Sequence, residues 1–181
     1  MKKFTLLQRF RNKIRIKGNV NLTLAKSAKI ANCDISIKGK NNTLIIEDGC
    51  TIRYSQLEIL GDNCSIVIGK NCIIGKGCYL SAKEGRSLVI KDDCMLSRNV
   101  KVMTSDGHSV YINNEIINNA KDVTIENHVW LADNVTILKG VTIGQNSVIG
   151  INSTVTKNIP VMSIAAGNPA KVIKSGTTWN M

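Results

Sequence analysis

The chain has 181 residues, 43% hydrophobic and 4% aromatic, with 24 Lys and Arg against 13 Asp and Glu, for a formal charge of +11. That length supports one domain with a sizeable core, and the apolar content excludes a disordered chain. No apolar run approaches the roughly 18 residues of a membrane span. The opening Met1-Lys2-Lys3-Phe4-Thr5 lacks the apolar stretch and cleavage site of a signal peptide, so a cytoplasmic protein is expected.

The charge is uneven. Lys2, Lys3, Arg9, Arg11, Lys13, Arg15 and Lys17 crowd the first 17 residues, which hold no acid. We read residues 1–19 as a basic N-terminal segment, either a solvated arm or one drawn to an anionic surface such as membrane lipid, an acidic glycan or a polyphosphate. Nucleic acid is not expected as a partner, because no groove-reading motif and few stacking aromatics accompany the charge.

After this segment the chain repeats. Leu24, Ile46, Ile68 and Ile90 lie 22 residues apart, and six residues after each stand Ile30, Ile52, Ile74 and Leu96. From Ile125 the spacing tightens to six: Ile125, Leu131, Ile137, Ile143, Ile149, Val155. Neither the helical nor the strand period explains a phase of six. Each hexad reads as a short strand plus a turn, and three hexads make one 18-residue coil of a triangular solenoid. A 22-residue coil carries four extra residues at one corner. Asn and Gly between the aliphatics suit the left-handed backbone of corners. Cys50, Cys72 and Cys94 share the 22-residue spacing, continued by Ala28, and should stack as small core fillers. With two histidines and no Cys-x-x-Cys pair, a zinc site has weak support. Residues 20–160 form the expected solenoid domain and 161–181 a C-terminal segment.

The phase stops at Val102 and resumes at Val123, extruding a loop of about residues 103–121 that contains His108 in Asp106-Gly107-His108-Ser109. Long ordered loops are disproportionately functional. An imidazole suits removal of a hydroxyl proton near neutral pH. His128 falls at a turn of its hexad and reads as structural.

The hexads from Val129-Trp130-Leu131-Ala132-Asp133-Asn134 through Val148-Ile149-Gly150, with Ala166-Gly167-Asn168-Pro169-Ala170-Lys171, resemble the hexapeptide-repeat acyltransferases. The resemblance is to the galactoside, maltose and serine O-acetyltransferases. The short form and basic N-terminus look more like capsule and lipopolysaccharide acetyltransferases. The resemblance implies an all-β, left-handed parallel β-helix and an acetyl-CoA-dependent O-acetyltransferase acting on a surface-polysaccharide sugar, with no metal. It implies a homotrimer with active sites between subunits, His108 of one chain facing Trp130 of its neighbour.

His108 is then the general base, and Asp106 either orients it or solvates a turn. Trp130 borders the site, and a backbone N–H from Leu131-Ala132-Asp133 meets the oxyanion. Gly150, Ile151, Thr156 and Lys157 contact the coenzyme's arm, with Lys171 and Lys174 near its phosphates. Tyr79, Ser81, Lys83 and Arg86 could touch the acceptor. An N-acetyltransferase of an amino- or nucleotide-sugar is the alternative activity, and a non-catalytic assembly module the alternative class. A carbonic anhydrase of this fold would need three histidine ligands. Lys139 is expected at a corner with little effect on stability.

Overall fold

The computed structural model describes residues 4–180. After a six-residue helix, Leu6–Arg11, the chain winds as a three-faced parallel β-solenoid. The first coil begins at Lys13, within the basic segment.

The first face stacks the leading halves of Lys13–Leu24 and Asp34–Ile46 on Gln56–Leu60, Tyr79–Lys83, Lys101–Met103, Thr136–Ile137 and Thr154–Val155. The second stacks the trailing halves of those two long strands on Ser65–Ile68, Ser87–Ile90, Val123–Ile125 and Thr142–Ile143. The third runs Lys29–Ala31, Thr51–Arg53, Ile73–Ile74, Met95–Leu96, Trp130–Leu131, Val148–Ile149 and Ser163–Gly167. The final strand, Ala170–Ser175, turns back antiparallel on its edge.

The aliphatic phase is the core. Leu24, Ile46, Ile68, Ile90, Ile125 and Ile143 pair one on the next, and so do Ile30, Ile52, Ile74, Leu96, Leu131 and Ile149. All are buried, each stabilising by roughly 1.5–3 kcal/mol relative to exposure.

The corners explain the Asn-rich composition. One corner stacks Gly49, Asn71, Asp93, His128, Asn146 and Met162, and another stacks Asn32, Tyr54, Gly77, Asn99, Asn134 and Asn152, all with positive φ. Asn tolerates that conformation, and its side chain bonds to the next in the stack, as Asn99 to Asn134 and Asn134 to Asn152. Cys50, Cys72 and Cys94 form the expected stack beside the first of these corners. All six cysteines are free and buried.

The third corner joins the first and second faces. It holds the extra residues of the 22-residue coils. Gly18, Gly39 and Gly61 stack there with φ of 109°, 123° and 112°. A Cβ on Gly39 would lie 2.0 Å from the Gly61 carbonyl oxygen, so only glycine fits. The extruded loop leaves this same corner, after Met103, and returns at Val123.

Candidate functional site

The loop that carries His108 is tied down at its base. The Lys121 N–H donates to the Thr104 carbonyl at 2.9 Å, and the Thr104 hydroxyl accepts from the Lys83 N–H at 2.9 Å. Ser105 donates to the Glu84 carboxylate one coil earlier. Asn118 then braces the loop from within. Its side chain donates to Asp106 and to the His108 carbonyl, each at 2.8 Å, and accepts from the Val110 N–H at 2.7 Å. Beyond His108 the chain makes a small hairpin, Tyr111–Ile112 against Glu115–Ile116, turned by Asn113 and Asn114 at positive φ.

Lys139 departs from expectation. Its ammonium donates to the Asp106 carboxylate and, at 2.7 Å, to the Asn118 carbonyl, and its side chain is only 16% exposed. It is a tether that fastens the loop to the third corner. Asp106 is likewise engaged with Lys139 and Asn118, so it holds the loop and makes no bond to the His108 imidazole. Lys139 and then Asn118 hold the Asp106 carboxyl below the usual carboxylate range. His108 itself is exposed to solvent.

A cleft of about 480 Å³ opens along this corner, lined by Lys38, Gly39, Leu60, Gly61, Asp62, Lys83, Glu84 and Gly107, the residue before His108. On the adjoining first face, Tyr79, Ser81 and Lys83 converge on the Glu58 carboxylate, Lys83 at 2.8 Å. Burial pushes that carboxyl upward, but the bonds from Lys83, Tyr79 and Ser81 outweigh it and hold it low. Three of the residues read as acceptor contacts thus belong to one network. Its fourth member, Glu58, was missed, although it lies about one coil length before the other three. Arg86 stands apart, exposed at the turn.

The remaining site residues fall into two groups. Thr156 and Lys157 end the first face of the last coil, at the His108 corner. Trp130, Ala132, Asp133, Gly150, Ile151, Lys171 and Lys174 lie on the third face, its trailing corner or its antiparallel edge strand. In a three-sided prism the His108 corner is opposite the third face. One chain therefore does not bring His108 and Trp130 together.

The third-face group has its own geometry. The Trp130 indole N–H donates to Ser97 Oγ at 3.0 Å. Trp179, which sequence reasoning passed over, folds the C-terminal tail back against it. Its ring stacks on His128 at 4.5 Å and tilts against Trp130 at 5.9 Å, and its N–H donates to the His128 carbonyl at 2.8 Å. The available signal was that the chain has two tryptophans and one sits in the tail. His128 occupies a stacked left-handed corner position and contacts Asn146 at 3.0 Å.

In the turn after Trp130, the Ala132 N–H donates to the Ile149 carbonyl at 3.0 Å, as part of the coil ladder. Asp133 is paired with the Arg98 guanidinium, whose bonds hold its carboxyl low. The Gly150 N–H is also in the ladder, to Ala165, whereas Ile151 is exposed. Lys157, Lys171 and Lys174 are exposed and form no ion pair among the described residues. Among those residues no group of three or more His, Cys, Asp or Glu is placed to hold a metal ion.

Three comparisons with known proteins give matches. The family model described as bacterial transferase hexapeptide (six repeats) matches residues 122–157. A polysialic acid O-acetyltransferase of Escherichia coli O1:K1 / APEC is 64% identical over 63 residues, which is 35% of this chain and 20% of that protein. The chain thus matches about a fifth of that relative's length.

Two solved structures match nearly the whole chain. The polysialic acid O-acetyltransferase OatWY is 33% identical with a TM-score of 0.84, covering 94% of this chain and 88% of that one. The polySia-specific acetyltransferase NeuO is 33% identical with a TM-score of 0.75, covering 95% and 83%. With a third of its residues shared across a common parallel β-helix, the chain belongs to the hexapeptide-repeat acetyltransferases and has their left-handed fold.

Proposed function

We propose that this protein transfers an acetyl group from acetyl-CoA to a hydroxyl of a surface-polysaccharide sugar in the cytoplasm, with His108 as general base. The observation that carries the reading is the placement of His108. It is held by its backbone on a loop braced through Asn118, Asp106 and Lys139, with the imidazole exposed and the preceding Gly107 lining a cleft that holds Lys38, Asp62, Lys83 and Glu84. In the proposed reaction the imidazole takes the acceptor O–H proton as the oxygen attacks the acetyl carbonyl carbon. The tetrahedral intermediate collapses, the C–S bond breaks, and the imidazolium returns a proton to the leaving CoA thiolate. Lys157, Lys171 and Lys174 suit the coenzyme phosphates as point charges. Polysialic acid, the acceptor named for the relatives, is the first to test.

We further propose that a second copy of the chain, in a trimer, completes the site. Two features support this. The His108 corner and the Trp130 face lie on opposite sides of one prism, so packing prisms side by side can unite them. The hairpin beyond His108 also exposes Tyr111, Ile112, Ile116 and Ile117, each 44–60% accessible, an apolar patch that a neighbour would cover.

The experiment is acetyl transfer and CoA release with polysialic acid and other capsular glycans, for the native chain and His108→Ala. The variant should keep its fold and lose turnover by ~10²–10⁴. Near-native turnover would remove His108 from the reaction, and no transfer to any glycan by the native chain would refute the reading.

A further inference from the structure

The N-terminal end of the solenoid has surface features that acetyl transfer does not use. The helix Leu6–Arg11 is fixed there. Asn12 donates to the Gln8 and Ile30 carbonyls and accepts from the Cys33 N–H, and the Asn32 N–H donates to the Arg11 carbonyl. Thr5 and Gln8 form a capping box at its start. Phe4 is buried, yet Leu6 is 87% exposed and Phe10 90% exposed, with Leu7 at 57%. Ile14 and Ile16, inward residues of the first coil, are only partly buried. Large apolar side chains grouped in water on a fixed element and rimmed by polar residues mark an interaction site.

The charge around this end says which kind. Arg9, Arg11, Lys17, Lys26, Lys29 and Arg53 are exposed and carry no ion pair among the described residues. Arg11, Lys26, Lys29 and Arg53 line a cleft of about 780 Å³ between the helix and the first coils. Of the nearby acids, Asp34 is paired with Lys13 and Arg15, and Asp48 accepts from Ser27. Two copies meeting end to end would bring these cations face to face, so self-association is disfavoured. A soluble polyanion satisfies the cations but offers nothing to Leu6 and Phe10. An anionic lipid surface satisfies both, since apolar side chains enter the acyl boundary while basic ones stay at the phosphates.

We propose that this end docks peripherally on an anionic membrane, with Leu6 and Phe10 inserted and the six bases at the headgroups. The solenoid axis then stands off the bilayer. His108 leaves the fifth coil, four steps of about 4.8 Å from the first, so the loop sits roughly 20 Å above the lipid. This proposal is independent of the acetyltransferase reading, because its test contains no acetyl donor or acceptor.

The test is flotation of the full chain with vesicles of phosphatidylcholine containing 30 mol% phosphatidylglycerol, and with phosphatidylcholine alone, near physiological salt. Binding should be at least tenfold tighter to the anionic vesicles and should fall when salt is raised. Arg9→Gln with Arg11→Gln should weaken it by about fivefold per base removed. Leu6→Ser with Phe10→Ser should weaken it at least tenfold with an unchanged melting temperature, since both residues are exposed. Three results would each overturn the proposal: no binding to anionic vesicles, undiminished binding by the Leu6/Phe10 variant, or lipid-free self-association that this variant abolishes.

Discussion

Lys139→Met removes the ammonium that joins the loop to the solenoid and keeps most of the aliphatic stem. Two bonds are lost, one to Asp106 and one to the Asn118 carbonyl. A charged hydrogen bond contributes about 1.5–3 kcal/mol when well desolvated, whereas exposed ion pairs give about 0.2–1 kcal/mol. Lys139 is 16% exposed and Asp106 44%. The pair lies between those limits, and we expect the loop to be destabilised by about 1–2 kcal/mol, a factor of 5–30 in its opening equilibrium. The readout is hydrogen exchange at the loop amides with defined acceptors: Gly107 to Ser105, Val110 to Asn118, Ile117 to Val110. Their protection should fall 5–30-fold while amides of the coil ladders, such as Lys101 to Val135, stay unchanged. Unaltered loop protection would refute the tether, and an equal loss in the coils would mean Lys139 supports the solenoid instead.

Ile143→Ala should cost roughly 2–5 kcal/mol in denaturant unfolding, because Ile143 is fully buried between Ile125 and Ile159 and the cavity cannot refill; a loss under about 1 kcal/mol would contradict the stacking. Gly39→Ala should cost more than about 2 kcal/mol, since its methyl meets the Gly61 carbonyl and its backbone stays at positive φ; calorimetry showing an unchanged melting temperature would contradict that close approach. Acid should release the loop late. Asp106 titrates below its unfolded value, so its tether contributes fully above about pH 4 and is lost as pH falls through the lower folded value. Loop protection, corrected for intrinsic exchange, should persist down to that range, and Asp106→Asn should abolish the acid step.

The solenoid was legible because its determinants are local and repeated. Leu24, Ile46, Ile68 and Ile90 recur at a fixed spacing, and each sees the same surroundings one coil later, so a one-dimensional period maps onto one core column. The corners were legible for a related reason. An Asn or Gly at the same phase in successive coils reports a left-handed backbone that few other residues adopt. The extruded loop showed itself as a break in that phase. Lys139 was misread because hexad phase distinguishes inward from outward positions but does not say what an outward side chain meets. Its partners, Asp106 and Asn118, lie 33 and 21 residues away in a segment with no period. The Ala132 bond was illegible for the converse reason, since its N–H belongs to a ladder whose partner, Ile149, is one coil on.

The sequence by itself therefore determines the coil, the core columns and the place where the coil opens, since these follow from burial and backbone conformation repeated in register. Tertiary structure alone decides which way outward groups turn and what they bind: that Asp106 holds Lys139 and leaves the imidazole free, that Glu58 gathers Tyr79, Ser81 and Lys83, and that Trp179 returns from the tail to His128. It also decides that the His108 corner and the Trp130 face point away from each other. The physical reason is range. Hydrophobic periodicity acts between neighbouring coils and leaves its mark in the spacing of residues. Polar contacts between the aperiodic loop, the tail and the prism surface depend on three-dimensional positions that no spacing encodes.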